Sequence, residues 1–212
     1  MPVRPAAVLA RLLPVPCAGC GVPPFPLCEG CRAGLRPAPP APPPPGVDWW
    51  AACWAYTGPA REVVARAKYR HLRTGLRVLA PDLGRVAAGA PVRPGLVTWA
   101  PASRVRWAAA GVDHAELLAR GVATGLAVPA RRLLVRSAAP PQTGRSAAAR
   151  RAGPDVRAVR PVPGCVVLVV DDVATTGGTL ASAARALRSA GATGVLAVTL
   201  TRTPVRSVSE RR

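Results

Sequence analysis

The stretch Val166-Val167-Leu168-Val169-Val170-Asp171-Asp172-Val173-Ala174-Thr175-Thr176-Gly177-Gly178-Thr179-Leu180 decides the reading of this chain. Five aliphatic residues in a row predict a strand, Val166–Val170, buried on both faces as strands of a parallel sheet are. Two carboxylates, Asp171 and Asp172, stand at its carboxyl end, where open α/β sheets bind ligands. A loop of glycines and small hydroxyl residues follows, and then a helix is expected over Thr179–Ala190, stopped by Gly191. Gly177 and Gly178 let successive backbone N–H groups converge on an anion. The start of the helix adds partial positive charge, and Thr175, Thr176 and Thr179 offer hydroxyl donors. The carboxylates repel a phosphate, so their chemistry is to accept from sugar hydroxyls or to hold a divalent metal. A phosphorylated ribose satisfies both halves.

Working outward, strand-like and helix-like pieces alternate. Strands are expected at Trp49–Tyr56, Leu96–Trp99, Arg132–Val135 and Gly194–Leu200. Helices are expected at Pro59–Arg70, Thr74–Ala88 (bent or interrupted at Pro81) and Asp113–Leu126, whose Leu117, Leu118 and Val122 form one stripe. Ser137–Pro154 reads as a long loop with a helical turn at Ser146–Arg151, and Arg202–Arg212 as a polar tail. Repeated strand–helix–strand units with short links predict an α/β fold with a parallel sheet.

Toward the start of the chain lie Cys17-Ala-Gly-Cys20 and Cys28-Glu-Gly-Cys31. Two thiolates three positions apart hold one edge of a tetrahedron, and two such pairs close it around Zn²⁺. With no open position, such a site is structural. Nothing in the sequence suggests export, so thiolate and metal are favoured over disulfides. Pro37–Pro45 cannot form helix or central strand and reads as a stiff spacer. The expected organisation is a zinc knuckle over 1–36, a Pro-rich linker over 37–48, a domain over 49–201 and the tail. Two independent units imply that breaking the knuckle leaves ligand binding in the body intact.

The 212 residues are 50% hydrophobic and 18% charged, which excludes a disordered chain or a fibre. No apolar run approaches the ~20 residues of a membrane span. Ala6–Val15 is broken by Arg11 and reads as a helix without a cleavage site, so a cytoplasmic protein with no membrane partner is expected. The chain has no Ile, no Asn and a single lysine, Lys68, yet carries 29 basic against 10 acidic residues, a net charge of +19. The excess is spread along the chain, which suits a basic surface that attracts polyanions. His71 and His114 have no partner in motif spacing and read as surface or packing residues. Cys53 and Cys165 read as buried thiols, and Trp49, Trp50, Trp54, Trp99 and Trp107 as core.

The acidic pair with its Thr-Thr-Gly-Gly-Thr loop resembles the type I phosphoribosyltransferases. The knuckle Cys17–Cys31, the pieces Tyr56-Thr57-Gly58 and Lys68-Tyr69, the turn Thr98-Trp99-Ala100-Pro101 and Gln142-Thr143-Gly144 with Ser146 and Arg150 resemble segments of the ComF branch of that family. The resemblance implies that Asp171 and Asp172 take the ribose hydroxyls of phosphoribosyl pyrophosphate, carried with Mg²⁺. It further implies that Thr175, Thr176, Gly177, Gly178 and Thr179 cradle the 5-phosphate, that Ala100–Ser103 faces the pyrophosphate, and that Gln142–Arg151 closes over the site. Ala110-Gly111-Val112-Asp113-His114-Ala115 stands where the branch has R-G-F-N-x-A, leaving Arg104 and Arg106 as substitute cations. Thr175 stands where purine-salvage members have an Asp. Two functions follow from the resemblance: transfer of phosphoribosyl to an unidentified acceptor, or a non-catalytic DNA-uptake adaptor in competence, with single-stranded DNA or a competence helicase as partner.

Overall fold

The computed structural model describes residues 15–23, 26–70, 72–102, 113–136 and 154–204. Its elements in chain order are α1 (Glu29–Ala33), β1 (Trp49–Ala55), α2 (Gly58–Arg70), α3 (Thr74–Ala88), β2 (Leu96–Trp99), α4 (His114–Leu126), β3 (Leu134–Arg136), β4 (Val156–Ala158), β5 (Val166–Ala174), α5 (Gly178–Ser189) and β6 (Gly194–Arg202). Four strands form a sheet of order β1-β6-β5-β2, every pair parallel. β3 and β4 form a separate antiparallel pair.

Alternation along β5 sorts the core into two layers. Leu168 and Val170 face one side, with α2, α3 and α4 packed over them. Val167 and Val169 face the other, under α5 and the β3–β4 pair. Continuing the alternation, Asp171 falls on the α5 side and Asp172 on the α2 side. The strand runs four residues beyond the expected Val170, because β6 continues beside it and pairs Asp171 with Thr199 and Val173 with Thr201. The carboxylates therefore belong to the strand itself. β6 in turn extends to Arg202, which is a buried strand residue and not the start of a tail.

Other expectations shift for local reasons. Pro81 lies within an unbroken α3. It sits on the exposed face, as does Arg77, whose carbonyl would have accepted from the missing N–H. The strand expected at Arg132–Val135 is Leu134–Arg136, set by its register with Val156–Ala158. Cys165 is only half-buried, whereas burial pushes the Cys53 thiol up to about 12. Of the tryptophans, Trp99 is buried and Trp49, Trp50 and Trp54 pack against the two core layers. His71, Trp107 and Ala6–Pro14, all but the last residue of the expected Ala6–Val15 helix, lie outside the described residues.

Both sheet edges are covered, which removes the exposed ladder that invites foreign strands. Val97 of β2 bonds Pro129 and Arg131. Along β1, Ala38 N–H donates to the Cys53 carbonyl at 3.0 Å and Ala55 N–H to the Arg36 carbonyl at 2.8 Å. The start of the proline-rich segment thus lies against the body. Arg202 donates to the Pro39 carbonyl at 2.6 Å, and Val47 is part of the α5-side core.

Candidate functional site

A cavity of about 440 Å³ opens at the carboxyl ends of β2 and β5. One wall is a single stretch of chain. Asp171, Asp172 and Val173 come from β5, and Thr175 and Thr179 from the loop and the first turn of α5. Gly177 caps α5 with φ +74°, a left-handed conformation that disfavours residues with a Cβ. A Cβ there would also stand 2.7 Å from Pro44, so the back of the loop rests on the proline segment. The Asp172 N–H donates to Asp171 Oδ1 at 2.8 Å, which holds the Asp171 carboxylate against the backbone of its neighbour. Thr176, Gly177 and Gly178 shape the loop but do not line the cavity.

The facing wall is assembled from distant parts of the chain: Tyr56 after β1, Lys68 and Tyr69 from the last turn of α2, and Asp113 and His114 at the start of α4. Lys68 Nζ lies 2.8 Å from Asp172 Oδ2. Asp113 caps α4, accepting from Ala115 N–H at 3.1 Å, and holds the end of the β2 turn by accepting from Ala102 N–H at 3.3 Å. Burial raises the Asp113 carboxyl above its ordinary range, with the Asp172 charge adding to that and the backbone N–H bonds opposing it. His114 is 8% exposed. Burial lowers its imidazole below 6.5 despite the nearby Asp172, so it is neutral at pH 7. The Ala67 carbonyl accepts from the ring, while Nε2 has no partner among the described residues.

His114 is buried, as a packing residue would be, and also lines the cavity wall. Its sequence signal is slight, since the nearby charges Lys68 and Asp172 lie 46 and 58 positions away. Lys68 did carry a signal, as the one lysine of an arginine-rich chain. Ala100, Pro101 and Ala102 of the expected turn line the cavity, and Arg136 joins them, donating to the Pro101 carbonyl at 3.1 Å. Ser103, Arg104, Arg106, Ala110–Val112 and Gln142–Arg151 lie outside the described residues.

Residues 112–211 match the family model of the phosphoribosyl transferase domain. That span contains the whole Asp171–Thr179 wall. Among solved structures, the chain is similar to the glutamine phosphoribosylpyrophosphate amidotransferase from B. subtilis, with 27% identity, 59% of this chain and 27% of that one covered, and a TM-score of 0.41. It is also similar to the phosphoribosylpyrophosphate synthetase from Mycobacterium smegmatis (22% identity, 60% and 33% covered, TM-score 0.36). A third is the purine phosphoribosyltransferase from Pyrococcus horikoshii (16% identity, 63% and 76% covered, TM-score 0.38). The chain spans about a third or less of the length of the first two. The curated proteins offer no significant match.

The second cluster of functional side chains is the four cysteines. Cys17, Cys20, Cys28 and Cys31 bring their sulfurs within 4.8 Å of one another, and none forms a disulfide. Tetrahedral zinc with bonds of about 2.3 Å needs sulfurs roughly 3.8 Å apart. Cys20 and Cys28 stand 3.8 Å apart. Burial pushes Cys17 up, but backbone hydrogen bonds from Cys28, Cys20 and Gly19 outweigh it and bring the thiol to about 6. Cys31 is pushed up to about 12 by burial, by hydrogen bonds with the other thiols and by the charge on Cys17. Four thiolates can coexist here only around a cation, so the donor set fits a structural Zn²⁺.

The knuckle is joined to the body. Ala18 and Leu35 are part of the core under α2 and α3. Gly75 admits this contact, since a Cβ there would stand 2.3 Å from that of Ala18. Arg32 of α1 lies 3.6 Å from the buried Asp82 of α3. No helix among the described residues is long and apolar enough to cross a membrane.

Proposed function

We propose that the cavity binds phosphoribosyl pyrophosphate or a closely related ribose phosphate, and that the chain is a phosphoribosyltransferase-like protein. The observation that carries this reading is the placement of Asp171, Asp172, Thr175 and Thr179 along one wall of one cavity at the carboxyl end of the sheet. In this reading the loop from Thr175 to Thr179, with the N-terminus of α5 behind it, takes the 5-phosphate. Asp171 and Asp172 accept from the ribose hydroxyls. The turn at Ala100–Ala102 faces the group on C1.

Mg²⁺ fits as a companion of the ligand. The described residues gather no cluster of three metal-binding side chains here, and Mg²⁺ characteristically uses one or two carboxylates with substrate phosphates and water. When bound, it would supply charge neutralisation for a departing pyrophosphate. The chain's own part in transfer is to hold the 5-phosphate and the hydroxyls, so that C1 faces the acceptor, and to keep water away. No nucleophile of the protein is required.

The finer assignment is to the ComF branch. It is supported by Tyr56, Lys68 and Tyr69, which converge on this cavity, and by the four-cysteine site.

Equilibrium binding of phosphoribosyl pyrophosphate with Mg²⁺, competed by ribose 5-phosphate but not by ribose, is the expected result. Failure of ribose 5-phosphate to compete would remove the reading. Pyrophosphate release across a panel of acceptors then tests transfer. A protein that binds the donor without releasing pyrophosphate, and binds single-stranded DNA with steep salt dependence, would support the adaptor function instead.

A further inference from the structure

The face that α2 turns to the core is Ala60, Val63, Val64 and Ala67, each at 0–1% exposure. Lys68 continues that stripe, four residues beyond Val64 in the helical repeat. A charge on a core stripe is costly unless it is met by another. Lys68 meets Asp172, and both side chains are largely buried, at 19% and 10% exposure. The contact runs from Lys68 Nζ to Asp172 Oδ2 at 2.8 Å.

The kind of cation matters as much as its charge. An ammonium is a point charge that sits on one oxygen, whereas a guanidinium is a planar fork that engages both oxygens of a carboxylate. In a chain with 29 basic residues, only this position carries lysine. We propose that Lys68 is the positioning residue of the sugar-binding carboxylate. By holding Asp172 at Oδ2, it fixes the side chain in the cavity wall and leaves the remaining lone pairs of the carboxylate to accept from a ribose hydroxyl. The inference rests on the ribose phosphate reading above and adds the residue that orients its sugar half.

The test is calorimetric titration of the full-length, metal-loaded protein with ribose 5-phosphate and, separately, with inorganic phosphate. Lys68→Met and Lys68→Arg should each weaken ribose 5-phosphate by about tenfold, the effect of disturbing one hydrogen bond to a charged group. Inorganic phosphate, which needs only the loop, should bind as before. In an Asp172→Asn background neither substitution should cost anything further, because Lys68 acts through that carboxylate. Equal losses for both ligands, additive losses in the Asp172→Asn background, or full affinity in Lys68→Arg would overturn the proposal. If Lys68→Met does not fold, Lys68→Arg retains the charge and carries the test alone. A wild-type protein that binds inorganic phosphate but not ribose 5-phosphate would instead bring down the reading of the site, and the inference with it.

Discussion

The two walls of the cavity are built in opposite ways. The Asp171–Thr179 wall is one continuous piece of chain, held by β6 on one side and opened by the first turn of α5. Backbone geometry fixes it, above all the left-handed Gly177 pressed against Pro44. The facing wall has no local scaffold. Tyr56, Lys68, Tyr69, Asp113 and His114 come together only because α2 and α4 pack on the same face of the sheet, with the knuckle's Ala18 in the same core. One wall should therefore tolerate loosening of the core, and the other should not.

With Zn²⁺ held by the four cysteines, its removal is expected to break this contrast most strongly. Chelation, or Cys28→Ser, withdraws Ala18 and Leu35 from the core. At about 2–4 °C per kcal/mol, a loss of a few kcal/mol lowers the melting temperature by roughly 10 °C. Ribose 5-phosphate affinity should fall with it while inorganic phosphate still binds, and calorimetry on the chelated protein checks both. An unchanged ribose 5-phosphate affinity would mean that knuckle and body are energetically independent despite their contact, as the sequence alone suggests.

Gly177→Ala attacks the continuous wall. The left-handed conformation alone costs about 1–2 kcal/mol with a Cβ, and the approach to Pro44 adds to it. Denaturant titration should show that loss, with weaker binding of inorganic phosphate. A neutral outcome would show that the loop relaxes freely and that its backbone is not the fixed element.

Thr175→Val and Thr179→Val sharpen the picture within that wall. Each removes one hydroxyl facing the cavity, worth about 1 kcal/mol, or several-fold in phosphate affinity. Thr176→Val, away from the cavity, should change affinity little.

The smallest effect concerns pH. Burial holds His114 below its ordinary 6.5. The unfolded chain then takes up a proton before the folded one as pH falls, so this contribution to stability is complete above pH 6.5 and is lost as pH drops through the lowered value. Asp113, raised by burial, works in the opposite direction at lower pH, where it favours the folded state as it protonates. His114→Gln should flatten the decline just below pH 6.5 in melting curves. An unchanged slope would mean that the imidazole protonates without resistance.

The same contrast explains what the sequence reveals. β2 is legible to the residue, and α2, α3 and α4 to within a residue at either end, because apolar spacing and capping are local properties. The acidic pair and its loop are legible because they are consecutive. β5 runs longer than its aliphatic run suggests because the partner strand, and not hydrophobicity, sets its end. His114 is illegible because nothing near it in sequence marks its meeting with Asp172 and Lys68. The bonds of Arg36 and Ala38 to β1 are illegible because they depend on an edge that only the assembled sheet creates.

In the proposed reading the continuous wall holds a ribose phosphate through its carboxylates and its loop together. Calorimetric titration of phosphoribosyl pyrophosphate with Mg²⁺, for the wild type and for Asp171→Asn with Asp172→Asn, tests it most directly. Two hydrogen bonds to charged groups at about 1.5–3 kcal/mol each predict a loss on the order of a hundredfold or more in the double variant. Equal affinity in both proteins, or no binding by the wild type, would contradict the account.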